Sequence, residues 1–322
     1  MSAGPKVVVV GTGFVGSAVL VDLLAAGVQA CAVHAPRLTA AQCAQGPELP
    51  KLLAEVLSGP FAGADVVVNA AGDPDASSGD EAALDAANGW LPVVIAVAAR
   101  RVGVRRVVHV SSAVVQGRRA VLDETAETEA FSPYSRSKAA GEARLAAARL
   151  QGVVIYRPPS VHELSRRVTR MTCRIASSPV STVLAPGSQP TPQALLGNVA
   201  SAVAHLATCS SEPPLYVIHP WEGVTAAGLL EALGGRTPRR VPRLLGVPFL
   251  RALTAIGRLF PRAAANARRV EMLWAGQRQA PSWLTQDGWT PPLGSTAWRE
   301  LGLACRARQS GERPEPTGED RG

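Results

Sequence analysis

Aromatic side chains make up only 4% of this 322-residue chain and charged ones 18%, against 47% hydrophobic residues. That apolar share excludes wholesale disorder, and the lack of any repeat excludes collagen and coiled coil. No CxxC pair exists: the five cysteines, Cys31, Cys43, Cys173, Cys209 and Cys305, stand far apart. An odd, scattered set supports neither a disulfide framework nor a cysteine-rich zinc site, so no metal is expected and a reducing cytoplasm is the expected setting. The apolar run after Lys6 imitates a signal peptide, but Gly11, Gly13, Gly16 and Asp22 interrupt it. A soluble protein without a targeting or transmembrane segment is the expectation.

Lysine and, locally, acid are also scarce. The only lysines are Lys6, Lys51 and Lys138, so a lysine inside a motif carries weight. From Arg236 to Arg269 there are nine arginines and no acid, which accounts for the net charge of +8. Such a segment suits the phosphates of a small ligand, an anionic lipid or a nucleic acid, or is simply a solvated helical face. Nucleic acid is the weakest of these, because Phe249 and Phe260 are the only aromatics there to stack on bases.

What is present in the first half is an alternation of apolar strand-like runs with Ala/Leu-rich helical stretches. Strands are expected over Lys6–Val10, Gln29–Ala35, Asp65–Asn69, Arg106–Ser111 and Val153–Tyr156, with helices over Phe14–Ala26, Gly79–Arg101 and Ser135–Leu150. Pro36–Pro60 offers a helix around Leu49–Leu57 and no convincing strand. The fold class is therefore α/β: a Rossmann-type doubly wound parallel sheet. After Arg157 prolines become frequent and the alternation weakens, so the organisation expected is a dinucleotide-binding domain over 1–157 and a smaller substrate lobe over 158–305. Residues 306–322 carry almost nothing apolar and read as a disordered tail.

The glycine loop Gly11-Thr12-Gly13-Phe14-Val15-Gly16 lies between a buried strand and a helix. Gly11 permits a tight turn, Gly13 lets backbone approach a pyrophosphate and Gly16 allows close helix packing, with the phosphate charge at the helix N-terminus. No acid occurs from Val28 to Pro47, where a carboxylate would bind the adenosine ribose, whereas Arg37 follows the second strand. NADP is therefore favoured over NAD, with Arg37 on the 2′-phosphate. Asn69, Ala70, Ala71 and Gly72 end the third strand in small residues that leave room for the cofactor.

Tyr134 and Lys138 form YxxxK at the head of a helix, one turn apart on one face. A nearby ammonium is expected to lower the phenol pKa and make Tyr134 an acid/base toward a hydroxyl or carbonyl. Ser111 and Ser112 end the fourth strand at the carboxyl edge of the sheet, and Ser112 is the expected partner of the reacting oxygen.

These motifs, in this order, resemble the extended short-chain dehydrogenase/reductase family, the NAD-dependent epimerase/dehydratase-like proteins that act mostly on nucleotide sugars. The likeness runs through Ala64–Gly72, Asn88, Gly103–Ser112, Leu122–Thr125, Ser132–Glu142, Tyr156–Glu163, Leu195–Ala207 and Asp287–Leu303. It implies Ser112, Tyr134 and Lys138 as the catalytic set, Lys138 on the nicotinamide ribose, and Asn88, Arg157 and Pro158 at the cofactor. It also implies a small-molecule substrate, a nucleotide-linked sugar, and a homodimer. Sugar dehydratases of this group follow the catalytic Ser/Thr with Asp-Glu, where this chain has Ala113 and Val114, which disfavours dehydration. A ketoreductase is favoured; an epimerase with retained NAD and a non-catalytic NADP-binding sensor stay open.

Overall fold

Short runs of β-branched residues build the central sheet. The computed structural model describes residues 4–76, 78–259 and 261–310. Strands β1 (Val7–Val10), β2 (Ala30–Val33), β3 (Val66–Asn69), β4 (Arg106–Val110), β5 (Val153–Arg157) and β6 (Tyr216–Ile218) form one parallel sheet in the order β6-β5-β4-β3-β1-β2. The register pairs Val10 with Val33 on one side and with Asn69 on the other, so the ends of β1 and β3 lie side by side. All residues of β1, β3, β4 and β5 are buried, as a sheet covered on both faces requires.

The covering helices alternate between the two faces. Val7 and Val9 point toward α1 (Phe14–Ala25) and α6 (Leu196–Thr208), whose Val19, Leu23, Val199 and Leu206 are fully buried. Val8 and Val10 point the other way, toward α2 (Leu49–Ser58), α3 (Leu91–Arg101) and α4 (Pro133–Ala147). This is the doubly wound architecture expected from the alternation. The stretch between β2 and α2 supplies no strand among the described residues, which leaves β2 as a half-exposed sheet edge.

One helical run, Glu81–Arg101, is long and apolar enough to cross a membrane, but most of it is buried here as core. Its middle, Asp85–Trp90, widens into a π-helix that holds Asn88. Such single-turn insertions re-aim side chains and recur at functional sites.

Beyond Arg157 the chain forms α5 (Arg167–Ser177), α7 (Ala226–Gly234), α8 (Arg243–Leu259), α9 (Pro261–Ala275) and α10 (Ser295–Ser310). A third cluster, including Cys173, Leu229, Leu233, Trp298 and Cys305, packs α5, α7 and α10 together. Between α6 and α7 the chain returns to the main sheet as β6, paired with β5. The first five residues of the expected tail are helical. Arg306–Ser310 are the last residues of α10, and the Arg306 guanidinium donates to the Leu233 carbonyl at 2.8 Å. Residues 311–322 lie outside those described.

Candidate active site

A cavity of about 470 Å³ opens at the carboxyl ends of β1, β3 and β4 and is walled on its far side by α5 and α9. This is where a doubly wound sheet reverses strand order and binds its ligands.

The glycine loop borders the cavity through Phe14 and Val15, while Gly11, Gly13 and Gly16 lie outside its lining. Gly11 adopts φ +89° with its backbone against Ala71, and a Cβ at Gly16 would lie 1.9 Å from the Gly11 carbonyl oxygen, so α1 can meet β1 this closely only through glycine. Gly13, by contrast, has open space around it, and as the N-cap of α1 it contributes no side-chain cap. The first amide groups of α1 are thus left for an external acceptor, and Phe14 and Val15 line the cavity beside them. Ala70, Ala71 and Gly72 face it from β3 and Pro158 from the end of β5. A pyrophosphate fits this cradle of glycine backbone and uncapped helix.

The YxxxK residues come from the start of α4, where Ser132 forms a capping box with Ser135 and Pro133 sits in the first turn. Tyr134 and Lys138 both line the cavity, and the Ser112 hydroxyl shares a hydrogen bond with the Tyr134 phenol. Ser111 is occupied elsewhere: its hydroxyl donates to Glu142 Oε1 at 2.5 Å. Ser112 is therefore the serine placed at the phenol. The Lys138 ammonium is buried and donates to the Val110 carbonyl at 3.4 Å, close to Gly72.

The expected lowering of the phenol pKa is not what the surroundings produce. Burial pushes Tyr134 up to about 12, and Asp73 adds to the rise. The cation that opposes it is Arg166, not Lys138. Burial pulls Lys138 down to about 8, against the attraction of Glu142 and Asp73. Removing water costs each charged form more than its neighbours return.

Three residues expected at the cofactor, Asn69 from the end of the third strand and Asn88 and Arg157 by resemblance, stand outside the cavity lining. Asn69 is fully buried: its Oδ1 accepts from the Ala71 amide at 3.0 Å and its Nδ2 lies 3.2 Å from His109 Nδ1. With the amide orientation set by Ala71, Nδ1 of His109 accepts and Nε2 carries the proton, a buried donor without a partner. Burial and the Lys138 charge hold His109 neutral. Asn88 accepts from the Asp73 amide at 3.0 Å and donates to the Asp73 carbonyl and to Ser137 Oγ, each at 3.1 Å. It fastens the loop after β3 to α4. Arg157 is buried against Glu142 at 2.6 Å and donates to the carbonyls of Asp123 and Thr125. Arg37 is exposed on the loop after β2, outside the cavity lining.

The arginines that do reach the cavity had no motif to mark them. Arg166 precedes α5, with its guanidinium 4.6 Å from the centre of the Phe14 ring. Arg268 and Arg269 lie on α9, inside the acid-free segment, whereas Arg236, Arg239, Arg240 and Arg243 of the same segment are exposed and away from it. Arg268 is committed to the Gly117 carbonyl at 2.9 Å, Gln277 at 2.5 Å and Glu271 at 3.1 Å. Burial lowers the Arg269 pKa, the charges of Arg166 and Arg167 lower it further, and Asp75 opposes them. His162 also lines the cavity; Gln193 accepts from its Nε2 at 2.8 Å, and burial lowers its pKa to about 4, so it is neutral.

A second cluster lies elsewhere. His205, Cys209 and Asp287 bring metal-type ligand atoms within 4.8 Å of one another at the end of α6. Their contacts serve the helix end: His205 pairs with Asp287 at 2.7 Å, and Arg106 donates to Cys209 Sγ and to the carbonyls of Leu206 and Cys209.

Residues 7–218 match the model of the NAD dependent epimerase/dehydratase family. No curated protein matches the sequence. Among solved structures, the chain is similar to a UDP-glucuronic acid 4-epimerase from Bacillus cereus in complex with NAD, at 16% identity and TM-score 0.63 over 96% of this chain and 99% of that one. It is similar to a UDP-glucose 4-epimerase from Thermus thermophilus in complex with NAD, at 20% identity and TM-score 0.60 over 94% and 99%. A dTDP-4-dehydrorhamnose reductase from Bacillus anthracis in complex with NADP aligns at 13% identity and TM-score 0.60 over 96% and 100%. At these identities the likeness is one of fold.

Proposed function

Since the chain belongs to the NAD-dependent epimerase/dehydratase family, we propose that it is an NADP-dependent ketoreductase acting on a nucleotide-linked keto sugar. The observation that carries this reading is that Ser112, Tyr134 and Lys138 line one cavity together, next to the glycine loop. A protonated phenol within reach of a carbonyl oxygen can give it a proton, which is what reduction of a carbonyl needs.

A nicotinamide held here by the glycine loop and Lys138 would supply the hydride. Tyr134 Oη delivers its proton to the carbonyl oxygen as the carbon takes that hydride, and Ser112 Oγ hydrogen-bonds the same oxygen. Lys138 holds positive charge beside the reaction and the ribose. The carbonyl π-bond becomes one C–H and one O–H bond, and the phenolate regains a proton from solvent. Elimination is disfavoured because Ala113 and Val114, which face the cavity after Ser112, offer no second acid/base pair. The positive charges of Arg166 and Arg269, both at the cavity, suit the diphosphate of the substrate. Two structural relatives are named as epimerases of UDP sugars and one as a reductase of a dTDP-linked sugar, which supports a nucleotide-linked substrate.

NADP is favoured because Arg37 is exposed and free of ion pairs among the described residues, four positions beyond Val33, the register partner of Val10. Titration of the purified protein should give tighter binding of NADPH than NADH. Arg37→Ala should remove most of the difference, about 1.5–3 kcal/mol for hydrogen bonds to a charged group. Equal affinities in the wild type would refute the cofactor assignment.

A further inference from the structure

Helix α8 carries a face that its own fold uses only in part. Residues 245, 249, 252, 256 and 259 recur at alternating spacings of four and three, which lines them along one side of a helix. Leu245 is 70% exposed, Phe249 51%, Ile256 47% and Leu259 74%, with Ala252 also exposed and Leu244 at 89% beside the stripe. The packing seam of α8 is a different side: Gly246, Leu250 and Gly257 are buried, and a Cβ at Gly246 would lie 2.4 Å from Leu184 Cδ1. Phe249 rests partly on Trp274 of α9, with ring centroids 5.3 Å apart, but Leu245, Ile256 and Leu259 still point outward in a row that is not the ordinary scatter of surface hydrophobics.

The charge around the stripe has one sign. Arg236, Arg239, Arg240, Arg243 and Arg251 are all exposed, none is in an ion pair among the described residues, and no acid lies between positions 236 and 269. A second copy of the chain docking here would bring arginine against arginine. A nucleic acid would reward the arginines but leave the leucine stripe in water. An anionic lipid surface accepts both, because guanidinium groups meet the headgroups while the stripe enters the acyl boundary. We propose that α8 docks this protein peripherally on an anionic membrane surface, with Leu245, Phe249, Ile256 and Leu259 inserted and Arg243 and Arg251 on the headgroups. Because α8 packs chiefly on α9, whose Arg269 and Leu273 wall the cavity, the docked face lies back to back with the substrate wall.

The test is flotation of the full-length protein with vesicles of equal parts phosphatidylglycerol and phosphatidylcholine, and with phosphatidylcholine vesicles alone. The expected result is binding to the anionic vesicles that falls at least about tenfold on phosphatidylcholine and in high salt. Leu245→Ser and Ile256→Ser, at exposed positions, should each weaken binding by a similar factor without changing the melting temperature. Arg251→Glu should do the same through the charge. Absence of vesicle binding, or binding that all three variants retain in full, would overturn the proposal. So would a wild type that ignores vesicles but elutes as a dimer dissociated by Leu245→Ser, which would assign the face to a second copy.

Discussion

Lys138 is a charged group in a place that disfavours charge. Its folded pKa of about 8 lies below the unfolded value of 10.5, so the unfolded chain binds the extra proton between those limits. Stability should therefore rise with pH from about 8 toward 10.5, and below that window the buried ammonium costs on the order of 3 kcal/mol. Lys138→Met should raise the melting temperature at neutral pH while abolishing turnover and weakening cofactor binding. A variant that melts lower than the wild type would contradict the burial argument. Tyr134→Phe tests the other half of the pair. The ring stays, so folding and cofactor affinity should be unchanged, while hydride transfer should fall at least about a hundredfold for lack of the acid. Reduction should also decline as pH rises through about 8, because Lys138 loses its charge there long before Tyr134 loses its proton.

Between elements, the site is held by side chains that lie outside the cavity lining. Asn88, aimed by the π-turn at Asp85–Trp90, ties the loop after β3 to α4 through both Asp73 backbone groups and Ser137. Asn88→Ala would strand a buried amide and carbonyl, at about 1–3 kcal/mol. Thermal melts should show that loss, and cofactor affinity should fall with it as the loop loosens; an unchanged melting temperature would make the bonds dispensable. The strands, α1 and α4 were legible because burial on both sheet faces demands continuous Val/Ile runs, and YxxxK and the glycine loop are local in sequence. The roles of Asn69, Asn88 and Arg157 were not legible. A buried residue that positions another and one that faces the ligand sit in the same motif, and only distance separates them.

For the molecule as a whole, the contrast lies between the two ends of the chain. The sheet order follows from its alternating elements, and the weak stretch after β2 was legible as a missing strand. The far wall was only partly so: Arg166 comes from a segment without motif signal, and arginine density marked the whole of Arg236–Arg269 without telling Arg268 and Arg269, which line the cavity, from Arg236–Arg243, which do not. Composition likewise placed Arg306–Ser310 in a tail because it cannot register that one guanidinium closes on the Leu233 carbonyl. Arg269→Ala should raise KM for a nucleotide-linked substrate about tenfold while leaving kcat near normal. Arg236→Ala and Arg240→Ala should leave both unchanged, and a KM effect from the latter pair alone would relocate the phosphate site.

The most direct measurement is the stoichiometry of one reaction: purified protein, freed of any bound nicotinamide, mixed with NADPH and a nucleotide-linked 4-keto sugar while nicotinamide absorbance and sugar product are followed together. One NADPH should be oxidised for each hydroxyl formed, with neither change in Tyr134→Phe. Interconversion of sugar epimers without net loss of reduced cofactor would contradict that stoichiometry.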